Sequence, residues 1–273
     1  MKMSRILKLF FCVSALFLVS CEEIEEEIPI DLTEVFIAHA GGKINGYTYT
    51  NSLEALNLSY SMGCKLFELD ICETSDSIFV AAHDWTHFKR ISGYQGEKND
   101  DPLSEQEFLS LRIHSAFTPI NMSAINAWFA EHEDAILVTD KVNEPKRFAE
   151  QFFFKNRLIM ELFSWDAVNE ALEIGIKAMP TGGLVVGKPN IEQVLDSLNI
   201  KYIAVSRLQL EGREAFFKRL KNNGVKTYVF ALNLGTGIDE KYVFENELHL
   251  ITGMYADDLS ILNANKSKKR RYY

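Results

Sequence analysis

The chain has 273 residues, 47% of them hydrophobic, and a formal net charge of −9, which is apolar material enough for one large domain or two small ones. The acidic balance excludes nucleic acid as a partner, because nothing would drive counterion release from a polyanion. A disulfide framework is excluded too: of the four cysteines, Cys12 and Cys21 belong to an N-terminal leader region. Cys64 and Cys72 flank one predicted strand, whose rise of about 3.3 Å per residue carries them beyond disulfide reach.

Lys2, Arg5 and Lys8 precede an apolar stretch from Leu9 to Val19 that is too short to span a bilayer. Leu18-Val19-Ser20-Cys21 resembles a bacterial lipobox. Residues 1–20 are therefore expected to be a signal peptide cleaved before Cys21, with lipidation of its thiol; an ordinary signal peptide or an uncleaved anchor is the alternative. Loss of the leader removes three positive charges and takes the net charge from −9 to −12. Glu22, Glu23, Glu25, Glu26 and Glu27 follow in an acidic spacer over 21–33. It is similar to the tethers that send some Bacteroidetes-type lipoproteins to the outer face of the outer membrane. The expected location is the bacterial cell envelope, on a lipid anchor in the outer membrane, with surface exposure as a further expectation. A domain over 34–263 follows, and a solvated basic tail over 264–273.

From residue 34 onward, short β-rich runs alternate with helical patterns. Strands are expected at 35–39, 65–71, 136–140, 157–162, 176–179, 202–205, 227–231 and 251–255. Helices are expected near 51–62, 104–111, 121–132, 145–155, 165–174, 190–198, 212–223 and 239–247. This alternation is the signature of βα units around a parallel sheet. Eight units in this length fit an α/β fold of the (β/α)8 TIM type better than an open doubly wound sheet. No glycine-rich phosphate loop opens any helix, which weakens a nucleotide-binding reading. One strand, at 77–82, follows the second barrel strand with no room for a crossover helix, so it must return as an antiparallel hairpin. A turn at Thr74-Ser75-Asp76-Ser77 would set His83 opposite Asp70. Asn51 reads as the cap of the first helix with Glu54 completing a capping box, a purely structural role.

His39 ends the first strand and is followed by Ala40-Gly41-Gly42, glycines that let a ligand approach the backbone. Glu68 and Asp70 stand at i, i+2 in the apolar run Leu66-Phe67-Glu68-Leu69-Asp70-Ile71 and so share one face. Two like charges inside a barrel repel unless a partner neutralises them, and oxygen-only ligation suits Ca²⁺ or Mg²⁺. A Lys or Arg partner is the alternative. His83-Asp84 adds a second imidazole, which makes an acid/base pair at neutral pH.

The order His-x-Gly, Asn-[ST]-x-x-Ala, Glu-x-Asp and His-Asp resembles that of the glycerophosphodiester phosphodiesterase family, within the phospholipase-C-like phosphodiesterase barrels. The specific signal runs over 37–84, with weaker echoes at 137–141, 228–233 and 253–257. The resemblance implies a metal-dependent phosphoric diester hydrolase, with His39 and His83 as acid and base and Glu68 and Asp70 on the cation. Two departures stand out. The family has Arg after the first His, where this chain has Ala40, so Lys43, Lys141 or Arg207 would have to reach the phosphate. The family also has Glu-x-Lys in the next barrel strand, where this chain has Asp140 and Lys141 side by side. Regular alternation cannot aim both inward, although a kink at the strand end can; Asp140 is the expected third metal ligand and Lys141 the expected phosphate contact. Tyr47, Tyr49 and Trp85 are candidates for the pocket wall, and Glu161 for the mouth or for a structural pair. The expected substrate is a small phosphodiester or a phosphodiester-linked glycan, handled by a monomer. Two alternatives keep the fold: an inactive phosphate- or glycan-binding lipoprotein, and a metal-independent cyclising enzyme of the phospholipase type.

Overall fold

The computed structural model describes residues 32–232 and 237–262. The expected leader, Cys21, most of the acidic spacer and the basic tail lie outside these residues. Among the described residues no helix is long and apolar enough to cross a membrane.

The strands are β1 (Phe36–Ala38), β2 (Leu66–Glu73), β3 (Phe79–Ala81), β4 (Ile136–Asp140), β5 (Leu158–Leu162), β6 (Lys177–Pro180), β7 (Tyr202–Ser206), β8 (Lys226–Phe230) and β9 (Gly253–Ala256). All but β3 run parallel, in the order β6-β5-β4-β2-β1-β9-β8-β7. A parallel bridge from Thr181 to Ala204 joins the two ends and closes the barrel. The expected eight-stranded barrel is therefore the fold, with β3 attached outside the ring as the antiparallel partner of β2.

Strand alternation explains how the barrel fills. Ile37, Leu66, Val138, Ile159, Met179, Ala204, Tyr228 and Tyr255, one from each barrel strand, form the inner cluster. Their strand neighbours, such as Phe67, Leu137 and Met160, face outward into the larger core beneath the helices. The interior is thus a packed layer and not a pore. It leaves only the C-terminal rim of the strands for chemistry.

The helices that bear on the site are α1 (Leu53–Met62), α2 (Trp85–Ile91), α3 (Glu105–Ser110), α4 (Met122–Glu131) and, later, α5 (Pro145–Gln151), α6 (Trp165–Glu173), α7 (Gly182–Val185), α8 (Ile191–Ser197), α9 (Glu214–Asn222) and α10 (Glu240–Asn246). The segment from β3 to α4 has its own small core of Trp85, Phe88, Phe108, Ile113 and Phe117.

Two local expectations need correction. The cap of α1 is Ser52, whose hydroxyl accepts from the Ala55 amide at 3.3 Å. Glu54 turns instead to Thr118, accepting from its amide at 2.8 Å and its hydroxyl at 2.7 Å. The hairpin register also differs by one, pairing Ile71 with Ala81, Cys72 with Val80 and Glu73 with Phe79. The cause is a three-residue loop closed by Thr74 N–H to Ile78 O at 2.9 Å, in which Ser77 takes φ +65°. A left-handed residue ending such a loop adds one position to the turn. Ala82, rather than His83, therefore stands opposite Asp70, its amide donating to Asp70 O at 2.9 Å.

Candidate active site

At the end of β1 the chain turns through left-handed backbone at Ala40 (φ +47°), Gly41 (φ +82°) and Gly42 (φ +94°). This turn aims the Ala40 amide at Glu68, donating to Oε2 at 2.7 Å. Glycine is required at 42, because a Cβ there would meet Ser59 Oγ at 2.3 Å. Glu68 and Asp70 face inward together from β2, and the register sets Asp140 of β4 directly beside Asp70.

Carboxylate oxygens of Glu68, Asp70 and Asp140 all lie within 4.8 Å of one another. Glu68 and Asp70 are both about 1% exposed. Burial, with repulsion from Asp70 and Asp140, pushes the Glu68 carboxyl well above its usual range, and Asp140 is raised by burial and by Asp70. Glu68 Oε1 is buried with no hydrogen-bond partner among the described residues. A buried acceptor without a donor costs roughly 1–3 kcal/mol. A hard divalent cation matches this donor set, supplying positive charge where oxygen atoms converge.

Asn51 completes the cradle, a role hidden in the sequence behind its fitness as a helix cap. Its amide donates to Asp70 Oδ2 at 2.9 Å, and its carbonyl accepts from the Asp70 amide at 3.0 Å. Because Ser52 caps α1, Asn51 is spare for this task. Two signals were available: two adjacent residues could each cap while only one was needed, and Asn51 opens the Asn-[ST]-x-x-Ala element of the motif.

The two histidines each lean on a carboxylate. His39 Nδ1 is 3.0 Å from Asp257 Oδ1, and His83 Nδ1 is 2.6 Å from Asp84 Oδ2. Asp84 also caps α2 through the His87 amide at 2.6 Å, which fixes His83 to an element end. Burial alone would lower the His39 pKa; the hydrogen bond and charge of Asp257, with the charges of Asp70 and Asp140, overcome it and leave the imidazole raised above its ordinary value. Tyr49 stands between the imidazoles, edge-on to His39 at 4.6 Å and to His83 at 5.1 Å between ring centroids. Burial and the surrounding carboxylates push its phenol up to about 12, so it remains a neutral donor.

Asp140 and Lys141 reach one cavity despite being adjacent, because Lys141 takes φ +71°. The Lys141 amide donates to Asp140 Oδ1 at 2.6 Å. Glu161, at the end of β5, accepts from Tyr255 Oη at 2.9 Å. Burial and Asp140 push its carboxyl up to about 8. His39, Glu68, Asp70, His83, Asp140 and Lys141 all open onto this cavity of about 500 Å³, together with Tyr49, Glu161 and Phe163.

Three residues expected to touch substrate lie elsewhere. The Arg207 guanidinium is buried in a salt bridge with Glu247, Nη2 to Oε1 at 2.6 Å. Lys43 pairs with Asp258 at 3.6 Å. Trp85 is 5% exposed in the small core, its indole donating to Glu73 O at 3.1 Å. The cavity wall includes none of them. Tyr47 is also absent from it and stacks on His114 instead. Among the lining residues Lys141 is the one lysine or arginine.

No family model and no curated protein matches the sequence. Solved structures do. A glycerophosphodiester phosphodiesterase from Parabacteroides distasonis superposes with a TM-score of 0.65 at 16% identity, covering 87% of this chain and 98% of its own. The chain has the fold of the glycerophosphodiester phosphodiesterases. The enzyme of that name from Thermotoga maritima gives a TM-score of 0.63 at 20% identity over 85% of this chain and 97% of its own. An Oleispira antarctica phosphodiesterase, solved in complex with the product sn-glycerol-3-phosphate, gives 0.65 at 16% identity over 85% and 96%. The shared barrel thus spans nearly the whole length of each of these three proteins.

Proposed function

We propose that this protein is a divalent-cation-dependent phosphoric diester hydrolase of the glycerophosphodiester phosphodiesterase type, acting on a small phosphodiester. The observation that carries the reading is the buried, unpartnered Glu68 Oε1 in a three-carboxylate cradle that shares its cavity with two carboxylate-paired histidines. The product bound to the Oleispira enzyme, sn-glycerol-3-phosphate, supports a substrate of that size.

Glu68, Asp70 and Asp140 would hold the cation, with Asn51 fixing the Asp70 carboxylate and the Ala40 amide fixing Glu68. A bound Ca²⁺ or Mg²⁺ supplies Lewis-acid stabilisation of charge on the phosphoryl oxygens. Lys141 lends a second positive charge to the phosphate, at the place where Ala40 cannot. One imidazole removes the proton from the attacking hydroxyl, of water or of the substrate itself, while the other protonates the leaving alkoxide. Asp257 and Asp84 hold the Nδ1 atoms, so the Nε2 atoms are the ones presented for transfer, and each carboxylate stabilises the imidazolium that forms. With the lipobox-like Cys21, the reading extends to an enzyme tethered in the cell envelope.

The test is hydrolysis of a panel of glycerophosphodiesters by the purified protein, with and without chelator. Turnover abolished by chelator and restored by Ca²⁺ or Mg²⁺ is expected. Turnover indifferent to chelator would point to the metal-independent cyclising chemistry. No turnover of any phosphodiester would point to a binding protein on the same barrel.

A further inference from the structure

The sheet brings His39 and Asp257 side by side and then ends. Ala38 of β1 pairs with Ala256 of β9, so His39 and Asp257 are the next residue on each strand, one step past the last rung of the ladder. Beyond that rung, sheet hydrogen bonds no longer decide where the Asp257 side chain points. Packing does not decide it either. A second cavity of about 220 Å³, lined by His39, Tyr49, Glu240, Tyr255 and Asp257, opens beside the pair. A side chain bordering a cavity lacks packed neighbours on that side, so the 3.0 Å contact of His39 Nδ1 with Asp257 Oδ1 needs another anchor.

We propose that Glu240 is that anchor, a positioning residue that aims Asp257 at His39 and acts on the reaction only through it; this rests on the phosphodiesterase reading, in which His39 moves a proton. Glu240 opens α10 and is 9% exposed. Its Oε1 accepts from two successive amides, those of Asp257 and Asp258, each at 3.0 Å. These amides belong to the two peptide planes on either side of the Asp257 Cα. One carboxylate oxygen therefore fixes both planes, and with them the direction in which the Asp257 side chain leaves the backbone. The Lys43 amide holds the same residue from the other side, donating to Asp257 O at 2.9 Å.

The local structure does not need Glu240 for anything else. Asp239 already caps α10, its side chain accepting from the Tyr242 amide at 2.9 Å. A carboxylate this buried is costly unless donors meet it, and the donors it meets are those that orient Asp257. His83 needs no such device. Its partner Asp84 is the next residue in sequence, and the second oxygen of Asp84 is tied to the His87 amide. The two imidazoles are thus aimed in different ways, one by a cap within its own turn and the other by a carboxylate from a distant helix.

The experiment measures kcat and KM on a glycerophosphodiester for Glu240→Ala, Glu240→Gln, Asp257→Ala and the double variant Glu240→Ala/Asp257→Ala. Glu240→Ala is expected to lower kcat about tenfold with KM unchanged, the scale of a group that is present but misaimed. Gln keeps an acceptor oxygen at the same reach, so Glu240→Gln should stay within about twofold of wild type. The double variant should be no slower than Asp257→Ala alone, because the anchor then has nothing to aim. The His39 Nδ1–H proton reads the same contact without turnover. It is seen by NMR while a carboxylate shields it from exchange with water, and it is assigned by its loss in His39→Ala. It should persist in Glu240→Gln and vanish in Glu240→Ala. If the alanine variant does not fold, Glu240→Asp, which keeps the charge but falls one methylene short, carries the same expectations. An undisturbed Nδ1–H signal in Glu240→Ala, a kcat loss that multiplies with that of Asp257→Ala, or equal losses with Gln and Ala would overturn the role of Glu240 without touching the phosphodiesterase reading. No turnover by the wild-type protein, with a signal that still depends on Glu240, would keep the anchor and remove the phosphodiesterase reading.

Discussion

His39 and His83 differ in how their carboxylates are used. Asp84 divides its oxygens between His83 and the α2 amide of His87, whereas Asp257 sets the charge state of a more buried ring. Replacing either histidine by alanine is expected to lower kcat by about 10²–10⁴-fold, the usual share of general acid–base transfer, with unchanged circular dichroism. Near wild-type turnover in either variant would remove that residue from the reaction. Asp257→Asn should act through His39. Because burial lowers the His39 pKa and Asp257 is the largest of the carboxylates that raise it, ahead of Asp70 and Asp140, loss of the Asp257 carboxylate must move that pKa down. The limb of the pH–kcat profile that needs protonated His39 should then shift toward acid. A merely structural role for Asp257 would lower kcat at every pH and leave the profile in place. The backbone of Asp257 is separately anchored by its amide, which donates to Glu240 Oε1 at 3.0 Å, so the substitution leaves the loop fixed.

At the scale of elements, the barrel was written plainly in the sequence, and the site partly so. Apolar runs mark every barrel strand, because inward and outward positions are both buried, so charged or polar residues within or just after such a run are conspicuous. Glu68, Asp70 and His39 stood out for that reason. What stayed hidden depends on single left-handed residues that period-two reasoning ignores. Ser77 shifts the hairpin by one, Lys141 turns with Asp140 into the cavity, and Asn51, itself at φ +47°, bonds to Asp70 in place of capping α1. Arg207 and Lys43 were candidates on charge alone, and no local pattern tells a phosphate contact from a salt bridge to Glu247 or Asp258 formed through the fold. The short helix α2 escaped notice because seven residues give too few turns for a periodic signal. The β1–α1 turn supplies a test at this scale. Gly42→Ala would place a Cβ in the left-handed region and against Ser59 Oγ, which donates to Gly41 O at 2.6 Å. Urea denaturation should show a loss of about 1–3 kcal/mol from strain and the displaced hydrogen bond. An unchanged midpoint and slope would mean that the turn does not constrain the site.

For the molecule as a whole, the acids at the rim link stability to pH in a direction opposite to most carboxylates. An ordinary paired carboxylate has its pKa lowered on folding and stabilises at neutral pH. Here the folded state raises Glu68 from about 4.5, raises Asp140, and holds Glu161 at about 8. Across that window the folded chain binds protons more tightly than the unfolded chain, so stability falls as pH rises. A divalent cation competes for the same oxygens and favours the deprotonated form. In chelator, the thermal midpoint is therefore expected to drop between about pH 5 and about pH 8, the interval bounded by the unfolded and raised values. Millimolar Ca²⁺ or Mg²⁺ should raise it at both ends, and by more at the upper end, where no proton has to be displaced. Glu68→Gln removes one repelling charge while keeping shape. It should flatten the chelator curve and cancel most of the shift produced by the cation, even where the midpoint itself goes up. A cation shift equal at both pH values, or one that survives intact in Glu68→Gln, would show that the ion binds outside the cradle and that the buried acids are stabilised by the protein alone.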